Sequence, residues 1–130
     1  MKTFHVYTDA SIKFHLGYYS ICGIIVVDSH ILDIYYKYRQ KVPYSINSAE
    51  RTAIRESVQY IIKKYKATNI RVYSDSINAM RKPFKKVKLI HVKAHTNKRN
   101  FKYRFNNLAD YICDKGINNW KEYWNKILLK

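Results

Sequence analysis

At 130 residues, with 47% hydrophobic and 26% charged side chains, the chain is long enough to bury one real core and short for more than one. Three glycines and two prolines exclude a flexible linker or low-complexity tract. The 25 Lys and Arg against nine Asp and Glu give a net charge of +16, which favours a polyanionic partner, nucleic acid ahead of an anionic membrane surface.

The first apolar stretch, "FHVYT" (4–8), reads as a strand that ends at Asp9, with a turn around Gly17. "YSICGIIVVD" (19–28) is a β-branched strand, and a tight Ser29–His30 connection leads into "ILDIYYKYRQKV" (31–42), which suggests a three-stranded antiparallel meander. After Pro43 the period changes. Ile54, Val58, Ile61, Ile62 and Tyr65 make a helical stripe, Ser48 is the expected N-cap, and Glu50, four residues before Ile54, continues the inward face. A capping box would put an acid three residues after Ser48, but Arg51 stands there.

"NIRVYSD" (69–75) is a fourth strand, again ending in an acid. "SINAMRK" is a short helix or turn stopped by Pro83, and "VKLIHVKAH" (87–95) is a fifth strand. The span from Ser76 to Lys86 is close to the lower limit of about 10–12 residues for a parallel crossover. A basic loop, "TNKRNFKYR", precedes a helix "FNNLADYICDKG" with Leu108, Ala109, Ile112 and Cys113 inward and Gly116 as its stop. An amphipathic helix over 118–129, carrying Trp120, Tyr123, Trp124, Ile127 and Leu128, ends the chain. These elements describe a single domain, residues 1–130, of mixed sheet and helices.

No apolar run approaches the roughly 20 residues needed to span a bilayer. The N-terminus turns polar too early for a signal peptide, so the expected location is cytoplasmic. Cys22 and Cys113 lie in apolar segments without CxxC or Cys/His spacing and are expected to be reduced core residues.

Four of the nine acids stand apart. Asp9 and Asp75 end strands, Glu50 opens a helix and Asp110 lies in a late one. Each alone fits a turn, cap or solvated position. Together, at the ends of elements that can face one another, they suit a hard-cation site, because buried carboxylates need pairing or a metal and Mg²⁺ prefers oxygen ligands. Two such ions can activate water and stabilise a leaving oxygen in phosphodiester hydrolysis.

The ordered blocks "YTDAS", "NSAERTAI", "YSDSINA", "VKAHT" and "NNLAD" resemble the type 1 ribonuclease H family, from about Thr3 to Gly116. The resemblance implies an α/β ribonuclease H-like fold: a five-stranded mixed sheet, three antiparallel strands then two parallel, flanked by helices. It also implies cleavage of the RNA strand of an RNA/DNA hybrid by two Mg²⁺ ions (Mn²⁺ may substitute), leaving 5′-phosphate and 3′-hydroxyl ends. Asp9, Glu50, Asp75 and Asp110 match the metal-binding carboxylates, and His95 a mobile-loop histidine that helps product leave. Asn47, Ser45, Ser76 and Ser11 fall with the substrate-binding positions.

The chain departs from that family in three places. Ile77 replaces a common glutamine, Asn97 and Asn107 replace the glycine and the acid of the motif after the histidine, and only a short stretch separates Asp75 from His95, where many relatives carry a basic protrusion. Grip is then expected from dispersed charge: Lys85, Lys86 and Lys88, with Lys98, Arg99, Lys102 and Arg104 around the His95 loop. A monomer with no required protein partner is expected. The competing assignments are a resolvase- or integrase-like enzyme on the same fold, and a catalytically silent nucleic-acid-binding module.

Overall fold

The computed structural model describes residues 2–40, 45–92 and 101–128. Strands β1 (Thr3–Lys13), β2 (Tyr18–Val27) and β3 (His30–Arg39) form the antiparallel meander. Helix α1 (Ile46–Tyr65) leads to β4 (Asn69–Ser74) and β5 (Val87–His91), followed by α2 (Phe101–Lys115) and α3 (Trp120–Leu128). The strands make one sheet in the order β3-β2-β1-β4-β5, with β1–β4 and β4–β5 parallel. This is the sheet expected from the sequence.

The period-2 alternation of β1 and β2 explains why both faces are covered. Phe4, Val6 and Ile25 pack under α1 with Ile54, Val58 and Ile61, while Tyr7, Cys22, Ile24 and Val26 pack under α2 with Phe105, Leu108 and Ile112. Where α1 crosses β2 the backbones are close: a Cβ built on Gly23 would lie 2.8 Å from Ser57 Cβ. Glycine is required there. Polar links fix α1 over β3 as well. Asp33 accepts hydrogen bonds from Tyr60, Lys64 and Tyr65, and Glu56 accepts two from Arg39 and one from Tyr35.

Several boundaries differ from the sequence expectation. β1 does not stop at Asp9 but pairs with β2 through Lys13. The β2–β3 turn is Asp28–Ser29, both at positive φ (52° and 65°) as a tight hairpin turn requires, one residue earlier than expected. The α1 cap is Ser45 rather than Ser48: Ser45 is extended and its Oγ accepts the Ser48 N–H at 3.1 Å. Ile62 lies off the buried stripe, which Ala49, Ala53 and Ser57 complete. Helix α2 starts earlier, at Phe101, and ends as expected at Gly116, whose φ of 89° suits glycine. Residues 93–95 of the expected fifth strand lie outside the described residues. No helix among the described residues is long and apolar enough to cross a membrane.

Helix α3 has no fully buried residue, yet it closes the α2 side of the core. Trp124 stacks on Phe105 with ring centroids 5.0 Å apart, and Tyr123 stacks on Tyr111 at 4.0 Å. These contacts cover apolar surface that would otherwise meet water. Trp124→Ala is expected to lower unfolding free energy by about 2 kcal/mol, read from urea denaturation. An unchanged midpoint would show that α3 is dispensable to the core.

Candidate metal centre

The site forms where the parallel strands separate. Pairing of β1 with β4 ends at Tyr7–Tyr73, so Asp9 lies two residues past it on β1 and Asp75 directly follows β4. Crevices at the carboxyl ends of parallel strands are the usual ligand positions in α/β sheets. Helix α1 reaches the same point because its first turns carry small side chains. Ala49 and Ala53, fully buried, pack with Ala10 and Ile21, and this close approach brings Glu50 Oε1 to 3.3 Å from the Ala10 N–H. Asp110, on α2, completes the wall from the other side of the sheet.

Asp9, Glu50 and Asp75 each offer a carboxylate oxygen, and the three lie within 4.8 Å of one another. With Asp110 they line one open cleft of about 470 Å³, together with Asn47, Ser76, Asn78, Ile46, Ile77 and Ala10. Asp9 and Glu50 are both 5% exposed. Burial, the charge of Glu50 and a shared hydrogen bond with it, then the charges of Asp75 and Asp110, push the Asp9 carboxyl well above its usual range. Glu50 is pushed up to about 8, chiefly by burial, with hydrogen bonds from Asp9 and the Ala10 N–H opposing and the charges of Asp75 and Asp110 adding. Glu50 Oε2 is buried and has no hydrogen-bond partner among the described residues. An orphaned carboxylate oxygen on a residue clustered with other hard oxygen donors fits a divalent cation of the Mg²⁺ type, which would supply the missing countercharge.

Of the substrate-binding positions expected from the sequence, Asn47 and Ser76 reach the cleft, their polar atoms 3.5 Å apart. Ser45 caps α1, and Ser11 pairs with Ser20 across β1 and β2; neither lines the cleft. His95, Lys98 and Arg99 lie outside the described residues. Sequence reasoning missed the role of Arg51. Its guanidinium donates to the Ala79 and Lys82 carbonyls at 2.8 and 3.0 Å and stacks over Phe84 at 4.1 Å, which pins the segment after Asp75 to α1. The one signal was a cation where a capping box would have an acid.

No protein-family model and no curated protein matches the sequence. Solved structures do match in shape. LC11-RNase H1, isolated from compost by a metagenomic approach, superposes with a TM-score of 0.67 at 15% identity, covering 92% of this chain and 98% of that one. RNase H1 from the halophilic archaeon Halobacterium salinarum NRC-1 gives 0.66 at 14%, covering 90% and 98%. LC11-RNase H1 in complex with an RNA/DNA hybrid gives 0.53 at 17%, covering 74% and 89%. The chain has the ribonuclease H fold.

An acid whose pKa is higher folded than unfolded holds a proton that the unfolded chain releases, so it weakens the fold as pH rises. For Glu50 that window runs from its ordinary 4.5 to about 8. Metal-free protein is therefore expected to melt at a lower temperature at pH 8 than at pH 5.5. Millimolar Mg²⁺ should raise the melting temperature at pH 8 and do little at pH 5.5, where protons compete. Glu50→Gln should melt higher than wild type without metal at pH 8 and lose most of the Mg²⁺ shift. A Mg²⁺ shift equal at both pH values, or retained in Glu50→Gln, would argue against a cation at these carboxylates.

Proposed function

We propose that this chain is a metal-dependent endoribonuclease that hydrolyses the RNA strand of RNA/DNA hybrids, leaving 5′-phosphate and 3′-hydroxyl ends. The observation that carries this reading is the convergence of Asp9, Glu50, Asp75 and Asp110 on one cleft at the strand ends of a ribonuclease H fold. Two further facts support it. The net charge of +16 suits a polyanionic duplex, and LC11-RNase H1, which shares the fold, is known in complex with an RNA/DNA hybrid.

Two Mg²⁺ ions (or Mn²⁺) bound at this cluster would supply activation of water and stabilisation of the leaving 3′ oxygen. Asp9 and Asp110 would hold the ion that activates water, and Glu50 and Asp75 the ion nearer the leaving 3′ oxygen. Asn47 and Ser76, which line the cleft, would hydrogen-bond the sugar–phosphate chain, and His95 is assigned to product release. The 2′-hydroxyls of the RNA strand, exposed in the wide minor groove, mark which strand is cut. The enzyme is taken to act as a monomer in the cytoplasm.

The test is cleavage of end-labelled RNA/DNA hybrid, duplex DNA and single-stranded RNA with Mg²⁺ or Mn²⁺. Wild type is expected to cut only the RNA of the hybrid. Asp75→Asn should lose more than about 100-fold in rate, because even partners of metal ligands cost 10–100-fold. Equal cleavage by both proteins would remove the assigned site. Preferential cutting of duplex DNA would favour a resolvase- or integrase-like enzyme, and binding without cutting would favour a silent module.

A further inference from the structure

Two large apolar side chains stand exposed at the mouth of the carboxylate cleft. Ile77 is 61% and Ile46 46% solvent-exposed, and both line the same opening as Asp9, Glu50 and Asp75. Their positions are fixed by local structure. Ile46 opens α1 just after the Ser45 cap, one turn before Glu50 and on the same helix face. Ile77 sits in a tight turn whose carbonyl accepts the Met80 N–H at 3.1 Å, while Ser76 Oγ accepts the Ala79 N–H at 3.1 Å. Arg51 ties that turn to α1, so the two isoleucines belong to one rigid rim. Apolar side chains that line the mouth of a ligand cleft are surface that an occupant of the cleft covers.

Resting on the hybrid reading, the occupant is defined. A phosphodiester seated over the carboxylates in a duplex whose 2′-hydroxyls are being read turns its minor groove toward the protein. Side chains on the rim then meet the minor-groove edges of the base pairs beside the scissile phosphate. In that groove A·T and A·U pairs show only acceptors, whereas a G·C pair adds the guanine N2 amino donor. An isoleucine offers no acceptor, so it desolvates that amino group without replacing its hydrogen bond, while the adenine C2–H makes an apolar contact at no such cost.

We propose that Ile46 and Ile77 form an apolar rim that reads the minor groove and makes cleavage favour A·U and A·T pairs over G·C pairs at the base steps beside the cut. The discriminating group is the guanine N2 amine, not base-pair strength.

The experiment maps every cut in a set of hybrids of varied sequence, then repeats it with inosine replacing guanine, which removes the N2 amine and one pairing hydrogen bond, and with 2,6-diaminopurine replacing adenine, which adds both; the isoleucine variants, which leave pair strength unchanged, separate the amine from pair strength. Wild type is expected to cut A·U and A·T steps about tenfold faster than G·C steps. Inosine should restore fast cleavage and diaminopurine should slow it. Ile77→Gln, which supplies an acceptor, should flatten the preference, whereas Ile77→Val should keep it; melting curves confirm that both variants are folded. Cutting by wild type with no preference, a preference that inosine does not relieve, or one that survives in both Ile77→Gln and Ile46→Asn would overturn the proposal. Failure of wild type to cut any hybrid would remove the ribonuclease reading and this inference with it.

Discussion

Burying two carboxylates side by side is costly in any protein, and the rest of this one is arranged around having done so. Asp9 and Glu50 are nearly inaccessible to solvent, and the charges that act on them come from acids, Glu50 first on Asp9, and Asp75 and Asp110 on both. Elsewhere the same chain treats its acids conventionally. Asp33, Glu56 and Asp114 each accept a hydrogen bond from a lysine or arginine. In a chain of net charge +16, cations are abundant, so a cluster that places acid against acid at a cleft works against stability and has the makeup of a cation site.

The scaffold holds that unfavourable arrangement by close packing on both sides. On the α1 side, Ala49 and Ala53 let the helix start approach β1, and Gly23 lets its middle approach β2. On the α2 side, a shell of aromatic and aliphatic groups from Tyr7 to Phe105 fixes the helix that carries Asp110, and α3 seals this shell through Trp124. Arg51 supplies the last link, because the segment following Asp75 has little regular structure of its own. Strain in the charge cluster is thus borne by a core that is apolar and well filled on either side of the sheet.

The short crossover between β4 and β5 leaves the chain without a helical protrusion there, and Lys85, Lys86 and Lys88 stand exposed beside β5 instead. Dispersed lysines attract a polyanion without fixing its register, since a solvated ammonium acts as a point charge. Under the proposed function, orientation would fall to the groups that line the cleft itself: Asn47, Ser76 and the isoleucine rim. Under that proposal the labour is divided, charge providing encounter and the cleft providing alignment.

Much of this was legible in the linear sequence. Period-2 and period-3.6 patterning determined the strands, the helices and their order, because burial on a sheet face or a helix stripe leaves a periodic trace. The four acids stood out only as a set, Asp9 and Asp75 at expected strand ends, Glu50 at a helix start and Asp110 within a late helix, since each alone fits an ordinary position. What the sequence did not contain was anything that depends on where a neighbouring element ends. Asp9 looked like the end of a strand, yet β1 continues to Lys13; only the end of its pairing with β4 makes the crevice. Ser48 looked like the cap of α1, and Ser45 takes that role because the helix begins one turn earlier, which in turn frees Arg51 to bridge to the Ala79 and Lys82 carbonyls. Local composition fixes which residues are buried and in what rhythm. The meeting of Asp9, Glu50, Asp75 and Asp110, and of Ile46 with Ile77, is decided by contacts between residues far apart in the chain, and only the folded structure holds that information.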